Sequence, residues 1–202
     1  KRARDGSDYG NGSGIRVGGP SVAIHKGAAA FLMRSVGTDS SRAAHTGVTH
    51  FENGLAPIPA AALAMPDADQ LARLLALGPT RVRVALDCGF DGEYTSQNVI
   101  GEITGSRKPD EIVLIGGHLD SWDPGTGAID DAAGVAITMA TGALLKPLHP
   151  QRTIRVVAFA NEESGLYGGK AYAEAHAKDV ARHVIAAESD FGAGRIYGFD
   201  SS

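Results

Sequence analysis

The chain has 202 residues, 43% of them hydrophobic, with 19 basic and 23 acidic side chains for a net charge of -4. That length holds one large domain or two small ones, and the composition is that of a globular protein rather than a fibre or a disordered tail. A pI near 6.0 argues against a basic surface for nucleic acid or anionic membrane, so a small molecule or a peptide is the expected partner.

No stretch approaches the roughly 20 apolar residues that span a bilayer, so membrane insertion is not expected. The opening KRARDGSDYG lacks the apolar segment of a signal peptide. The first residue is not Met and the last ten read as a strand just beginning, which points to a piece of a longer protein. The single cysteine, Cys88, excludes an internal disulfide and reads as a small core residue.

Residues 1–20 are rich in Gly, Ser and Asp and read as loop. SVAIHKGAAAFLMRSV then alternates short apolar runs in the manner of strand, helix and strand. PDADQLARLLALG has the signals of a helix: Pro66 and Asp67 at its start, Leu71, Leu74 and Leu75 on one side, Gly78 at its end. RVRVALD follows as a strand. Beyond a polar stretch at 90–98 the pattern becomes regular: strands 98–103 and 111–117, helix 131–146, strand 153–160, helix 165–177, strand 183–189. Strands alternating with helices imply an α/β fold, a mostly parallel sheet with helices on both faces. A boundary near residue 91 separates it from a small α+β unit, giving domains 1–90 and 91–202.

Three of these strands end in chemistry. The first ends in His118 and Asp120, the second in Asn161, Glu162 and Glu163, the third in Glu188, Ser189 and Asp190, while Asp130 and Asp131 open the helix between the first two. In an open parallel sheet, ligands sit beyond the carboxyl ends of the strands. Any one cluster alone reads as a helix cap or a solvated loop. Together they crowd like charges that resist ionising side by side unless a cation sits among them. A histidine with several carboxylates and no thiolate suits zinc in a hydrolytic site, and a bridging carboxylate would allow two ions. Adjacent Glu162 and Glu163 point in different directions on leaving a strand, so one can bind metal while the other serves as general base. Asp120 can support the histidine or its ion from behind. Trp122, the only tryptophan, either walls the substrate pocket or packs. His25, His45, His50, His149, His176 and His183 lack carboxylates at a recognisable spacing and read as surface or core residues.

GGHLDSWDPGTGAIDDAAG, FANEESGLYGGKAYA and ESDFGAG resemble the zinc exopeptidases of metallopeptidase family twenty-eight, and most closely its plasma glutamate carboxypeptidase-like branch. HKGAAAFLMRSVG, HTGVTHFENGLAPIPAAAL and DADQLARLLALG resemble, more loosely and incompletely, the protease-associated domain carried by that branch. The resemblance implies an incomplete zinc exopeptidase fold after a partial protease-associated domain. It makes His118 and Asp190 ligands of one zinc, Asp130 the bridge, Glu163 a ligand of a second zinc, Glu162 the general base and Asp120 the residue that orients His118. It also implies a cis peptide bond between Asp130 and Asp131, and a small, tolerated departure at Ala132, where the family usually has Gly. The family's second zinc takes a further histidine from well beyond Asp190, which this chain does not reach.

The expected function is therefore hydrolysis of a terminal peptide bond of small peptides or dipeptides, with two zinc ions per full-length chain. The alternatives are a related zinc amidohydrolase or glutaminyl cyclase-like enzyme, and a non-catalytic binding homologue. The family favours a secreted or periplasmic address. Oligomeric state is left open, a homodimer included.

Overall fold

The computed structural model describes residues 9–37, 41–89, 91–122, 125–190 and 192–195, so the strand expected near the end of the chain falls almost wholly outside the described residues. The chain divides into two compact units, 1–91 and 92–202. Among the described residues no helix is long and apolar enough to cross a membrane.

The first unit opens with a helix, α1 (Tyr9–His25), where the sequence reads as loop and then strand. Five glycines lower its intrinsic helix propensity, but a Cβ at Gly19 would stand 2.6 Å from the Phe31 ring, so glycine is what lets the helix lie against β1 (Phe31–Arg34). β1 pairs in parallel with β2 (Ala60–Leu63), Phe31 opposite Ala60. Then comes α2 (Met65–Leu77), where Pro66 and Gly78 announce it. Ser35 and Ser21 are buried and satisfied: the Ser35 hydroxyl donates to Leu63 O at 2.7 Å and Ser21 Oγ accepts from Glu52 N at 3.0 Å. RVRVALD forms no strand; its alternation finds no partner among the described residues, and a strand is stable only in a ladder. Cys88 is exposed rather than buried. His25 does have a carboxylate partner, Glu52 at 2.8 Å, and His176 has one in Asp179 at 3.2 Å.

The second unit holds a four-stranded sheet in the order β3-β5-β4-β6, made of β3 (Val99–Ile103), β4 (Lys108–His118), β5 (Arg152–Phe159) and β6 (His183–Glu188). β4 is parallel to β5 and β6, and only β3 runs antiparallel, against β5. Ile112, Leu114, Ile154, Val157 and Ala158 are buried in it, as expected where both faces are covered. Helix α3 (Ala132–Leu145) covers one face, its Gly142 set against Val156, with Thr138 Oγ1 returning its hydrogen to Gly134 O. Helix α4 (Tyr167–Ala175) covers the other, where Tyr172 meets the Phe159 ring edge-on at 5.9 Å. On that second face Arg155, 9% exposed, donates to Glu102 at 2.6 Å and to the Tyr172 hydroxyl at 2.6 Å. That hydroxyl in turn meets His183 Nε2 at 2.7 Å. These bonds tie β3, β5, α4 and β6 together and satisfy a charge that would otherwise be costly to bury.

Candidate metal centre

All the sequence-selected acids leave the sheet at one edge because β4, β5 and β6 end there in parallel. The β4–β5 ladder runs to the lip, where Leu119 N donates to Phe159 O at 2.7 Å, and Ser189 N donates to Gly116 O at 2.9 Å on the other side. His118 is the last residue of β4 and 1% exposed. Its Nδ1 lies 2.9 Å from the backbone carbonyl of Asp120. A carbonyl only accepts, so this contact places the proton on Nδ1 and leaves the Nε2 lone pair outward. Nε2 faces Asp130 Oδ1 at 3.0 Å and Glu162 Oε2 at 3.9 Å.

Asp130 and Asp131 share one turn but go opposite ways, and the peptide bond between them is cis. Asp130 is exposed and turned to His118. Asp131, 1% exposed, caps α3: its Oδ1 accepts from Gly134 N at 3.1 Å and its Oδ2 from His118 N at 2.9 Å. An aspartate ahead of a helix is a familiar cap; its second bond, back to the strand, left no trace in the sequence.

Just beyond β5, Asn161 takes a left-handed backbone, φ 53°, which Asn tolerates better than most residues. The chain then turns through Glu162 to Gly165, whose N–H donates to Glu162 O at 2.9 Å. The turn is held from two sides. Asn98, just before β3, accepts from Ala160 N at 2.9 Å and donates to Gly168 O at 2.8 Å. Asp120 accepts from the backbone N–H groups of both Glu162, at 2.8 Å, and Glu163, at 3.1 Å. The Asp120 carboxylate stands farther from His118 Nδ1, at 3.6 Å, so the histidine is oriented by the carbonyl of Asp120 and the side chain serves the glutamates. Trp122 stands near the same turn, where its indole favours the charged form of the Glu163 carboxyl.

The electrostatics are those of a cluster short of positive charge. Burial raises the pKa of Glu162, with Asp190, Glu188 and Asp120 adding to the rise against the pull of His118. Burial likewise raises Glu163, helped by Asp130 and Glu162, and raises Asp131, where Asp190 adds to it. Glu188, which the sequence placed at the strand end without a role, is pushed up by desolvation of its carboxyl and by Asp190 and Asp131. For His118 burial pulls the pKa down, but Glu162, Asp131, Asp130 and Asp120 outweigh it and the net shift is upward. Each shift relieves crowding by taking up a proton, and a divalent cation would relieve it more completely.

The donors fit such a cation. One ligand atom each from His118, Asp130 and Asp190 lies within 4.8 Å of the other two. Ligand atoms about 2.0–2.2 Å from a shared tetrahedral zinc stand about 3.3–3.6 Å apart, so the triad would draw together around an ion. Glu163 stands outside this triad, near enough to Asp130 for the two charges to oppose each other. An imidazole with carboxylates, and no thiolate, suits zinc with a position left for water.

A mostly parallel sheet with helices on both faces and these donors at its carboxyl edge is the zinc exopeptidase fold. Residues 98–196 match the sequence profile of peptidase family M28, and the chain belongs to that family. Carboxypeptidase Q of Mus musculus is 37% identical over 181 residues, which is 88% of this chain and 38% of that protein. The chain thus spans well under half the length of this curated relative. A peptidase M28 precursor from Shewanella amazonensis superposes with a TM-score of 0.83 at 51% identity, over 98% of this chain and 45% of that one. An aminopeptidase from Aneurinibacillus sp. strain AM-1 gives a TM-score of 0.51 at 27% identity, over 82% and 40%.

Proposed function

We propose that the full-length protein is a zinc-dependent exopeptidase that hydrolyses a terminal peptide bond of small peptides. The observation that carries this reading is the convergence of His118, Asp130 and Asp190 within 4.8 Å, with Glu162 Oε2 3.9 Å from His118 Nε2. His118, Asp130 and Asp190 would hold one ion, and Asp130 with Glu163 would contribute to a second. Zinc bound there supplies Lewis-acid polarisation of the scissile carbonyl and acidifies water. Glu162 takes the proton of the attacking water as its oxygen adds to the carbonyl carbon, and returns that proton to the departing amine. Burial and like charges around Glu162 favour its protonated form, which suits a group that carries a proton between two steps.

The similarity to carboxypeptidase Q extends over 88% of the chain and so reaches the first unit, which fits the protease-associated domain of the same branch. Among relatives the names divide between a carboxypeptidase and an aminopeptidase, and a panel of dipeptides blocked at either end decides which terminus is read. Replacing Glu162 with Gln in the full-length protein should leave zinc content unchanged and lower turnover by about 100- to 10,000-fold, the usual worth of base catalysis. Near-normal turnover would remove Glu162 from the role.

The described residues contain one compact ligand triad, and this favours one second reading, a single-metal amidohydrolase or glutaminyl cyclase-like enzyme. Zinc counted per full-length chain separates them: two ions support the exopeptidase and one supports the alternative.

A further inference from the structure

Asp120 stands at the end of β4, and its carboxylate reaches across to the end of β5. Oδ1 accepts from Glu162 N at 2.8 Å and Oδ2 from Glu163 N at 3.1 Å. Consecutive N–H groups do not normally point to one acceptor. They do so here because Asn161, at φ 53°, turns the chain and makes the next two amides a small concave nest for an anion. The backbone carbonyl of Asp120 accepts from His118 Nδ1 at 2.9 Å. Asp120 therefore touches both halves of the site with different groups, its backbone holding the histidine and its side chain holding the glutamates.

We propose that the Asp120 carboxylate is a positioning residue for the general base: it fixes the Glu162–Glu163 turn at the distance from His118 that catalysis needs. This rests on the exopeptidase reading only in taking Glu162 as the base. A carboxylate bonded to two N–H groups is a charge-assisted, two-point clamp with defined direction. A neutral amide in its place has one acceptor and one donor, so it can keep one N–H and must turn a donor on the other. Misplacement of a catalytic group by about 1 Å costs about 100-fold in rate.

The test uses the full-length protein, with and without zinc, and the variants D120N, D120E, D120A, E162Q and D120N/E162Q. In the zinc-loaded enzyme D120N should lower kcat by about 10- to 100-fold with KM within a few-fold. D120E, which keeps the charge, should retain more activity than D120A. Adding D120N to E162Q should cost little beyond E162Q alone, because the base through which it acts is already gone. In the metal-free protein the amides of Glu162 and Glu163 should be protected from hydrogen exchange. D120N should release them by tenfold or more while 113–118 keeps its protection, and zinc titrated into D120N should bind the His118 triad within a few-fold of the parent affinity. Additive losses in the double variant, fast exchange of both amides in the parent, or weakened zinc with exchange changed only at 116–118 would each overturn the proposal. The exchange measurement needs neither metal nor substrate, and the retained protection of 113–118 shows that D120N is folded, so it decides what Asp120 holds even if E162Q proves active and the exopeptidase reading fails.

Discussion

The buried carboxylate of Asp131 joins the backbone N–H of His118 at 2.9 Å, and with Gly134 N at 3.1 Å it binds the last residue of β4 to the first turn of α3. The metal-facing ring of His118 is thus mounted on a backbone that is itself anchored by a charge. That charge is one of several in the site that folding makes harder to maintain.

The metal-free protein should accordingly lose stability as pH rises. Glu162, Glu163, Asp131 and Glu188 all have raised pKa values, so what they contribute is present below their ordinary values and lost as pH climbs through the raised ones. His118, also raised, has the same sign in its own range above 6.5. Glu111 and Asp179 are lowered and act oppositely, but their ion pairs are half-exposed, where screening leaves them little weight. Melting temperatures of the metal-free full-length protein should fall between about pH 5 and pH 8, and saturating zinc should reverse the trend because it binds the ionised ligands. A metal-free midpoint that rises over that range would refute the charge-crowding account.

Gly134→Ala should be destabilising although alanine is the better helix former by about 1 kcal/mol. Its Cβ would lie 1.8 Å from Ser189 O and 2.2 Å from Asp131 Oδ1, so either β6 or the cap must retreat. Overpacking of this kind costs about 1–3 kcal/mol and here outweighs the gain. Denaturant unfolding of the metal-free variant checks the sign, and zinc affinity should fall with it because Ser189 carries Asp190.

Asn98→Ala should cost about 1–3 kcal/mol by leaving Ala160 N and Gly168 O without their partner. Asn98→Asp should also destabilise, since a carboxylate still accepts from Ala160 N but faces Gly168 O with another acceptor. Unfolding midpoints of the two variants beside the parent provide the check. An N98D protein as stable as the parent would show that the Gly168 contact contributes nothing.

His118→Ala should remove the triad's zinc while leaving the fold nearly intact. The substitution deletes the ring and keeps the backbone N–H that Asp131 needs. Zinc content after dialysis, set beside the circular dichroism spectrum, tests both halves of the statement.

Much of the fold was legible because its signals are local. In the first unit α2 has Pro66 in its first turn and precedes Gly78; in the second α3 follows a cap, and the strands are short apolar runs bounded by polar turns. The edge on which His118, Asp130, Glu162, Glu163 and Asp190 gather follows from strand direction alone once the strands are parallel. What escaped is what depends on partners distant in sequence. α1 forms despite its glycines because Gly19 lets it approach Phe31; RVRVALD, with the better strand pattern, pairs with none of the described residues. The residues that support the turn, Asn98 and the Asp120 side chain, act on backbone groups 62 and 42 residues away, and no spacing rule announces a bond to a distant amide.

The strand order β3-β5-β4-β6 has a kinetic consequence. β4 carries the first ligand along the chain, yet the strand that leads to Asp190 is the last of the four in sequence, so His118 meets Asp190 only once β6 has docked on its flank. Closing contacts over such separations is slow relative to forming a helix. Capture of the ion is therefore among the last events of folding, and tight uptake reports that the sheet has been assembled in the right order, much as a latch engages only on a closed door.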